Sequence, residues 1–381
     1  MLQLRLPIPR FMGAGEILHG SGSLSALRML DGVRVAVLAS ATVLKHHQAE
    51  IERAINHLKL SIIEYPGGEP DLAIVSKVSA ELSKIQPNWI VAIGGGSVLD
   101  GAKLAWIFYE HPDAELNLLV RPFALRRLRG RSRFVAVPTT AGTGSEVSSA
   151  AVISDAVTGR KQAIVSHELI PDIAILDPRL TVNVPASVLV SSGLDALAHS
   201  VEAYVSKFEN PLADIQAEKS IEMIFRLLPQ TIQKPDDLKT RMEIMMAALM
   251  AGWVQNLKVP GLGHALAHQI GQFGIPHGMA CGGLLSSAIT VNQRDPKVAG
   301  KYRRLAEAIG LNGLEGLNAA ILDLKAKLGF SERLSVIAST NALSKDQRKL
   351  MFEGAKEDIC AKANPIGVTD QILEEMMEQA W

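Results

Sequence analysis

The chain has 381 residues, 48% of them hydrophobic, which is enough for two buried cores and long for one domain. Acidic and basic residues balance at 39 each, so no net field draws the protein to nucleic acid or to an anionic membrane. The opening MLQLRLPIPRF has neither the apolar core nor the cleavage site of a leader, and the longest apolar stretch, 244–254, falls short of the roughly 20 residues of a membrane span. Cys281 and Cys360 are the only cysteines. They read as small packing residues rather than a disulfide framework, and the expected compartment is the reducing cytoplasm.

The first half alternates short apolar runs with amphipathic stretches. Residues 33–39 (VRVAVLA) form a continuous β-branched run, the pattern of a strand buried on both faces. Residues 44–58 have helical periodicity. Residues 89–93 (WIVAI) read as a second strand that ends at a glycine triplet, and 100–108 as helix. Residues 134–137 read as a third strand, closed by Pro138. Such alternation predicts a doubly wound parallel sheet. After about residue 184 β-branched runs become scarce. Pro185 suits a first helical position, and 186–205, 213–228, 237–253 and 300–308 all read as helix. The expected architecture is an α/β domain over 1–183 and an all-α domain over 184–381, hinged near 180–185. The arginines at 121, 126, 127, 129, 131 and 133 read as a solvated surface segment.

Two glycine-rich turns follow strands. Gly94-Gly95-Gly96-Ser97 opens a helix, where glycine lets the backbone approach an anion and the first-turn N–H groups point at it. Residues 138–146 (PTTAGTGSE) place four hydroxyls and two glycines in one turn, suited to a ribose, a phosphate or an amide. Turns at consecutive strand ends share the sheet edge at which open α/β sheets bind ligands, so the first domain is expected to bind a nucleotide.

The helical half carries a cluster of ligand-type side chains. Asp195 and His199 are four apart in GLDALAHSVEAY, and His264 and His268 are four apart in GHALAHQIG, so each pair shares one helix face. His277 follows in GIPHG. Carboxylate and imidazole together suit zinc, iron and related divalent ions. Each pair lies among Leu and Ala, where unpaired polar groups are costly to bury. One metal ion would compensate both pairs.

These segments resemble the iron-dependent alcohol dehydrogenases, a family related to glycerol dehydrogenase and dehydroquinate synthase. The resemblance spans nearly the whole chain and is carried by FMGAG from residue 11, GGGSVLD at 94–100, PTTAGTGSEV at 138–147 and TGRKQAIVSHELIPDIAILDP at 158–178. It continues in GLDALAHSVEAY at 193–204, GLGHALAH at 261–268, PHG at 276–278 and NP at 364–365. It implies a nucleotide-binding domain, a helical metal-binding domain and an active site between them, in an enzyme that moves hydride between NAD or NADP and a short primary alcohol or aldehyde. Asp195, His199, His264 and His277 would hold the metal, Fe(II) or alternatively Zn(II), and His268 would be the catalytic histidine. Gly95, Gly96 and Ser97 would hold the pyrophosphate, with Asp100, Thr139, Thr140, Ser145 and Lys161 as further cofactor contacts. A homodimer or larger homo-oligomer is implied, with no nucleic-acid or membrane partner.

The chain departs from that pattern in AGWVQNLKVPGLGH, where relatives carry smaller or apolar residues in place of Trp253, Gln255 and Lys258. The segment from His264 to His277 is also about one residue shorter than in some relatives. A buried lysine needs an anionic partner. Lys258 therefore raises two expectations: a substrate with an anionic tail, accommodated by Gln255 and by the small Ser148, Ser149 and Ala150, or, as for most lysines, a side chain that faces solvent or pairs with a nearby acid, with an uncharged short aldehyde as substrate. Ser40, at the end of the first strand, stands where an acid would favour NAD; with Lys45 nearby, NADPH is expected to be accepted. The alternatives are a metal-independent reductase of the maleylacetate type, a dehydroquinate synthase-like lyase, and a non-catalytic nucleotide- or metal-binding relative. The complete ligand set disfavours the first, and the PTTAGTGSEV run the second.

Overall fold

The computed structural model describes residues 13–121, 124–155, 161–331, 333–338 and 342–381. Six strands form one parallel sheet: β1 (Glu16–His19), β2 (Arg34–Ser40), β3 (Lys59–Tyr65), β4 (Trp89–Gly94), β5 (Arg133–Pro138) and β8 (Ile173–Leu176). Their spatial order is β3-β2-β4-β5-β8-β1. Helices α1 (Ala41–Ala54), α2 (Leu72–Ile85) and α3 (Gly96–Glu110) cross over between strands, and a single turn, α4 (Leu116–Leu119), precedes β5. The central strands are apolar on both faces because both are covered: Val35, Val37 and Ala39 belong to one core, Ala36 and Leu38 to the other. The chain runs from β2 outward to β3 and then back past β2 to β4, so the order reverses between β2 and β4. In such sheets that reversal opens a crevice at the carboxyl ends of the strands. Ala39 pairs with Ile93 and Gly94 with Pro138, so the ends of β2, β4 and β5 lie in sequence along it.

A two-stranded antiparallel hairpin, β6 (Ala150–Ser154) and β7 (Lys161–Val165), was not expected. It packs on α3, where Lys103 Nζ donates to the carbonyls of Ser148 (2.9 Å) and Ala150 (3.1 Å). All six arginines of the segment are solvent-exposed, as expected, but the segment is also tied down. Arg129, Arg131 and Arg133 lie over the rings of Trp106, Tyr109 and Trp89 at 5.1–5.5 Å, and the Glu110 carboxylate accepts the N–H groups of Gly130, Arg131 and Ser132. Stacking and capture by one buried carboxylate fasten this exposed segment to the sheet, an anchoring that charge count alone does not reveal.

The rest is helical: α5 (Ala186–Val205), α6 (Pro211–Gln233), α7 (Leu238–Lys258), α8 (Leu262–Ile270), α9 (His277–Asn292), α10 (Pro296–Ala308), α11 (Gly313–Lys327), α12 (Lys345–Glu357), α13 (Ile359–Ala363) and α14 (Asp370–Ala380). Asn210 and Asp237 cap α6 and α7 through their side chains. Helix α6 continues through Pro229, beyond the predicted end at 228, because packing outweighs one lost hydrogen bond. Helix α5 is buried along most of its length against α6, α7 and α9, at the centre of the helical core. No helix among the described residues is long and apolar enough to cross a membrane.

Candidate active site

Helix α5 presents Asp195 and His199 on one face, as their spacing requires, and Glu202 one turn further on. Glu202 is buried and organises the start of α8. Its carboxylate accepts the N–H of Gly261 (2.8 Å) and of His264 (3.3 Å) and lies 3.2 Å from His264 Nδ1. Gly263 is needed there, since a Cβ would come within 2.4 Å of Glu202 Oε1. His264 Nε2 lies 3.7 Å from Asp195 Oδ1; against burial, which lowers it, Cys281, Glu202 and Asp195 raise the pKa of this ring, so a metal ion bound at Nε2 would displace a proton there. His277 is the first residue of α9, and its Nε2 is also 3.7 Å from Asp195 Oδ1. Helix α9 approaches α5 this closely through glycine: a Cβ on Gly278 would lie 2.0 Å from the Ser191 carbonyl oxygen, and one on Gly282 would lie 2.8 Å from Leu194 Cδ1.

His199 stacks on His264 with ring centroids 4.4 Å apart, and His268 on His277 at 5.1 Å. Asp195 Oδ1, His199 Nδ1, His264 Nε2 and His277 Nδ1 are buried with no hydrogen-bond partner among the described residues. Burial holds the His199 ring neutral, with its pKa lowered to about 4, and likewise lowers that of His277; neutral is the form that binds metal. Burial alone would raise the Asp195 pKa, but the surrounding imidazoles hold the carboxyl far below the usual range. Asp195 Oδ1 and His264 Nε2, both unpartnered, and His277 Nε2 at the same 3.7 Å from Asp195 match a tetrahedral metal site, whose N and O ligands lie about 3.4 Å apart at ordinary zinc–ligand distances. The residues fit a divalent ion.

His268 turns the other way. Its Nδ1 lies 2.8 Å from Asp358 Oδ2, and Asp358 caps α13 through Cys360 N–H (2.8 Å). Despite burial, which raises it, the Asp358 carboxyl is held below its usual range by His268 and by Cys360.

A cavity of about 440 Å³ joins these side chains to the sheet edge. Its lining includes Asp195, His199, His264, His268 and His277 from the helical part, and Gly96, Ser97, Asp100, Ser145 and Lys161 from the sheet part. Gly95, Thr139 and Thr140 stand just behind that lining: Thr139 N–H donates to the Gly94 carbonyl (2.9 Å), and Thr140 faces Gly95. Helix α3 begins at Gly95 without a side-chain cap, leaving its first N–H groups for an anion. Asp100 and Ser145 brace each other (2.6 Å), with the second Asp100 oxygen on Val152 N–H. Lys161 pairs with Glu69 at the rim (2.8 Å). Ser40 lies outside this cavity; its hydroxyl caps α1.

Ala150 and Gln255 line the cavity, and Gln255 donates to the Thr143 carbonyl (2.7 Å). Lys258 requires a correction. It is buried, but it faces Asp214 and donates to the Tyr204 carbonyl (2.7 Å), with its ammonium over the Tyr204 ring. The anionic partner its burial demands comes from α6, so no anionic substrate follows from it. Three functional side chains escaped sequence reasoning: Glu202, Asp358 and the Cys281 thiol, which lies 3.6 Å from His277 Nε2. Only Glu202 left a local sign, at three residues beyond His199 on the same helix.

Residues 14–178 match the family model described as iron-containing alcohol dehydrogenase, and residues 189–381 the model for the C-terminal part of the Fe-containing alcohol dehydrogenase family. The chain is 33% identical to 1-propanol dehydrogenase PduQ of Citrobacter freundii, over 96% of this chain and 97% of that one. It is 30% identical to an NADPH-dependent butanol dehydrogenase of Clostridium saccharobutylicum, over 98% and 97%. The solved structure of an iron-containing alcohol dehydrogenase from Thermococcus thioreducens superposes with a TM-score of 0.89 at 29% identity, over 97% of this chain and 99% of that one.

Proposed function

Because the chain belongs to the iron-containing alcohol dehydrogenase family, we propose that it interconverts short, uncharged primary alcohols and aldehydes at a centre held by Asp195, His199, His264 and His277. The enzyme is an NAD(P)-linked alcohol dehydrogenase. The observation that carries the finer reading is the group of buried, orphaned donors on α5, α8 and α9 opening into one cavity with the glycine turn of α3. An ion bound there, Fe(II) on the family's pattern, would supply Lewis acidity toward the substrate oxygen, and a bound nicotinamide would supply the hydride-carrying carbon.

The protein's own groups do the rest. Asp358 takes the Nδ1 proton of His268 into a hydrogen bond, which leaves His268 Nε2 as the acceptor for the alcohol proton. Glu202 fixes the His264 ring, so the ligand geometry does not depend on substrate. Ala150, Val152, Val165 and Ile359 give the cavity an apolar wall that suits a short alkyl chain and excludes water. The similar propanol and butanol dehydrogenases agree with that size.

NADPH is accepted on this reading. Ser40 offers no charge against a 2′-phosphate, Lys45 lines a shallow depression beside it, and the butanol dehydrogenase relative is NADPH-dependent. The test is a panel of two- to four-carbon aldehydes with NADH and NADPH after reconstitution with iron or zinc. Metal-dependent turnover is expected with both cofactors, and H264A should lose both metal and activity. Full metal occupancy and normal turnover in H264A would remove the ligand assignment, and strict use of NADH would remove the reading of Ser40.

A further inference from the structure

We propose that the Cys281 thiol is a further donor to this metal centre and biases it toward zinc over iron. The inference rests on the metal reading above. Cys281 stands one turn after His277 on α9, and its Sγ lies 3.6 Å from His277 Nε2. The donor atoms of Asp195, His264, His277 and Cys281 all lie within 4.8 Å of one another. A sulfur and a nitrogen ligand on one zinc ion, at ordinary distances and near-tetrahedral angles, lie about 3.6 Å apart. The observed 3.6 Å, beside the 3.7 Å edges from Asp195 Oδ1 to His264 and His277, has those proportions. Asp195 and His264 are each 2% exposed, and Asp195 Oδ1 and His264 Nε2 face this point without a hydrogen-bond partner.

His199 lies just outside this tight set, stacked on His264, so the thiol joins the four donors named above rather than replacing one. The register that brings the thiol in is set by Gly278 and Gly282, which let α9 lie against Ser191 and Leu194. Cys360 belongs elsewhere, grouped with His268 and Asp358. Binding replaces the S–H bond with a sulfur–metal bond and releases the proton to water, with no change of oxidation state. A soft sulfur donor favours zinc over Fe(II) more than an all-oxygen-and-nitrogen set does.

The experiment uses the full-length protein stripped of metal and given one equivalent of Co(II). Wild type and C360S should each bind one cobalt and show a near-ultraviolet thiolate-to-cobalt charge-transfer band. C281S should bind one cobalt without that band, and in zinc–iron competition its preference for zinc should fall about tenfold, the low end of what altered metal surroundings cost. One bound cobalt with no such band in wild type overturns the role of Cys281 and leaves the metal reading standing. A band that survives C281S and vanishes in C360S overturns it as well. Failure of wild type to bind cobalt overturns the metal reading, and this inference with it.

Discussion

The hydrogen bond from His268 Nδ1 to Asp358 Oδ2 decides which imidazole nitrogen serves the cavity. An amide there would keep its oxygen on the Cys360 N–H and turn an NH2 donor toward His268 Nδ1, which favours the other tautomer. D358N is therefore expected to lower kcat by up to about 10²-fold, the range of a positioned acid–base group. Metal content should stay unchanged, and D358E should recover part of the loss. Loss of metal in D358N, or no change in kcat, would show that Asp358 serves only to cap α13. The histidines were legible in sequence because the four-residue spacing that places two side chains on one helix face is a local property. Asp358 lies 90 residues from His268, and nothing local marks it. Lys258 was ambiguous for the same reason: the sequence left open a solvent-facing lysine, an acid partner or an anionic substrate, and the acid that pairs with it, Asp214, is 44 residues away on another helix.

Helix α9 is short of side chains where it meets α5, and that shortage is what lets His277 reach Asp195. A Cβ at position 278 would meet the backbone of Ser191, which cannot move aside as a flexible side chain could. G278A should cost about 1–3 kcal/mol of stability, the usual range for overpacking, and should also reduce bound metal by spreading the ligands. Thermal unfolding and metal analysis together test this; a stable variant with full metal would show that the helices slide without consequence. The elements read best from sequence were those with one unbroken signal, such as α5 from 186 to 205 and the strands starting near 33, 89 and 134. Strands β1, β3 and β8 lie toward the sheet edges, and β1 and β8 span four residues each, too short for a period to register. Helix α8 was legible from the four-residue spacing of His264 and His268, but the glycines in its approach and first turn are explained only by the close contact with Glu202.

Across the whole molecule, stability should depend on pH through a group far from the metal ligands. Burial raises the Glu146 carboxyl from 4.5 to about 7, in a pocket shared with the buried Lys103 and Asp100. Between those two pH values the unfolded chain has lost the proton and the folded chain still holds it. Folding therefore becomes less favourable as pH rises across the window, by about 3 kcal/mol in total, and the effect is flat on either side. E146Q should remove this slope, as read from denaturant midpoints at pH 5 and 7; equal slopes in both proteins would rule it out. Gly144, at φ +62°, touches Gly252 backbone to backbone, and a Cβ on Gly252 would lie 2.7 Å from Gly144 Cα. Beside this backbone contact Gln255 donates to the Thr143 carbonyl and Asn256 to the Val147 carbonyl, so the sheet side and the helical side meet at closest backbone approach with little room to spare. A spacer one methyl thick in G252A would leave metal affinity and cofactor affinity close to wild type, yet shift the hydride donor away from the alcohol carbon. Because a misplacement near 1 Å costs about 10²-fold in rate, kcat should fall by that order while both binding constants hold.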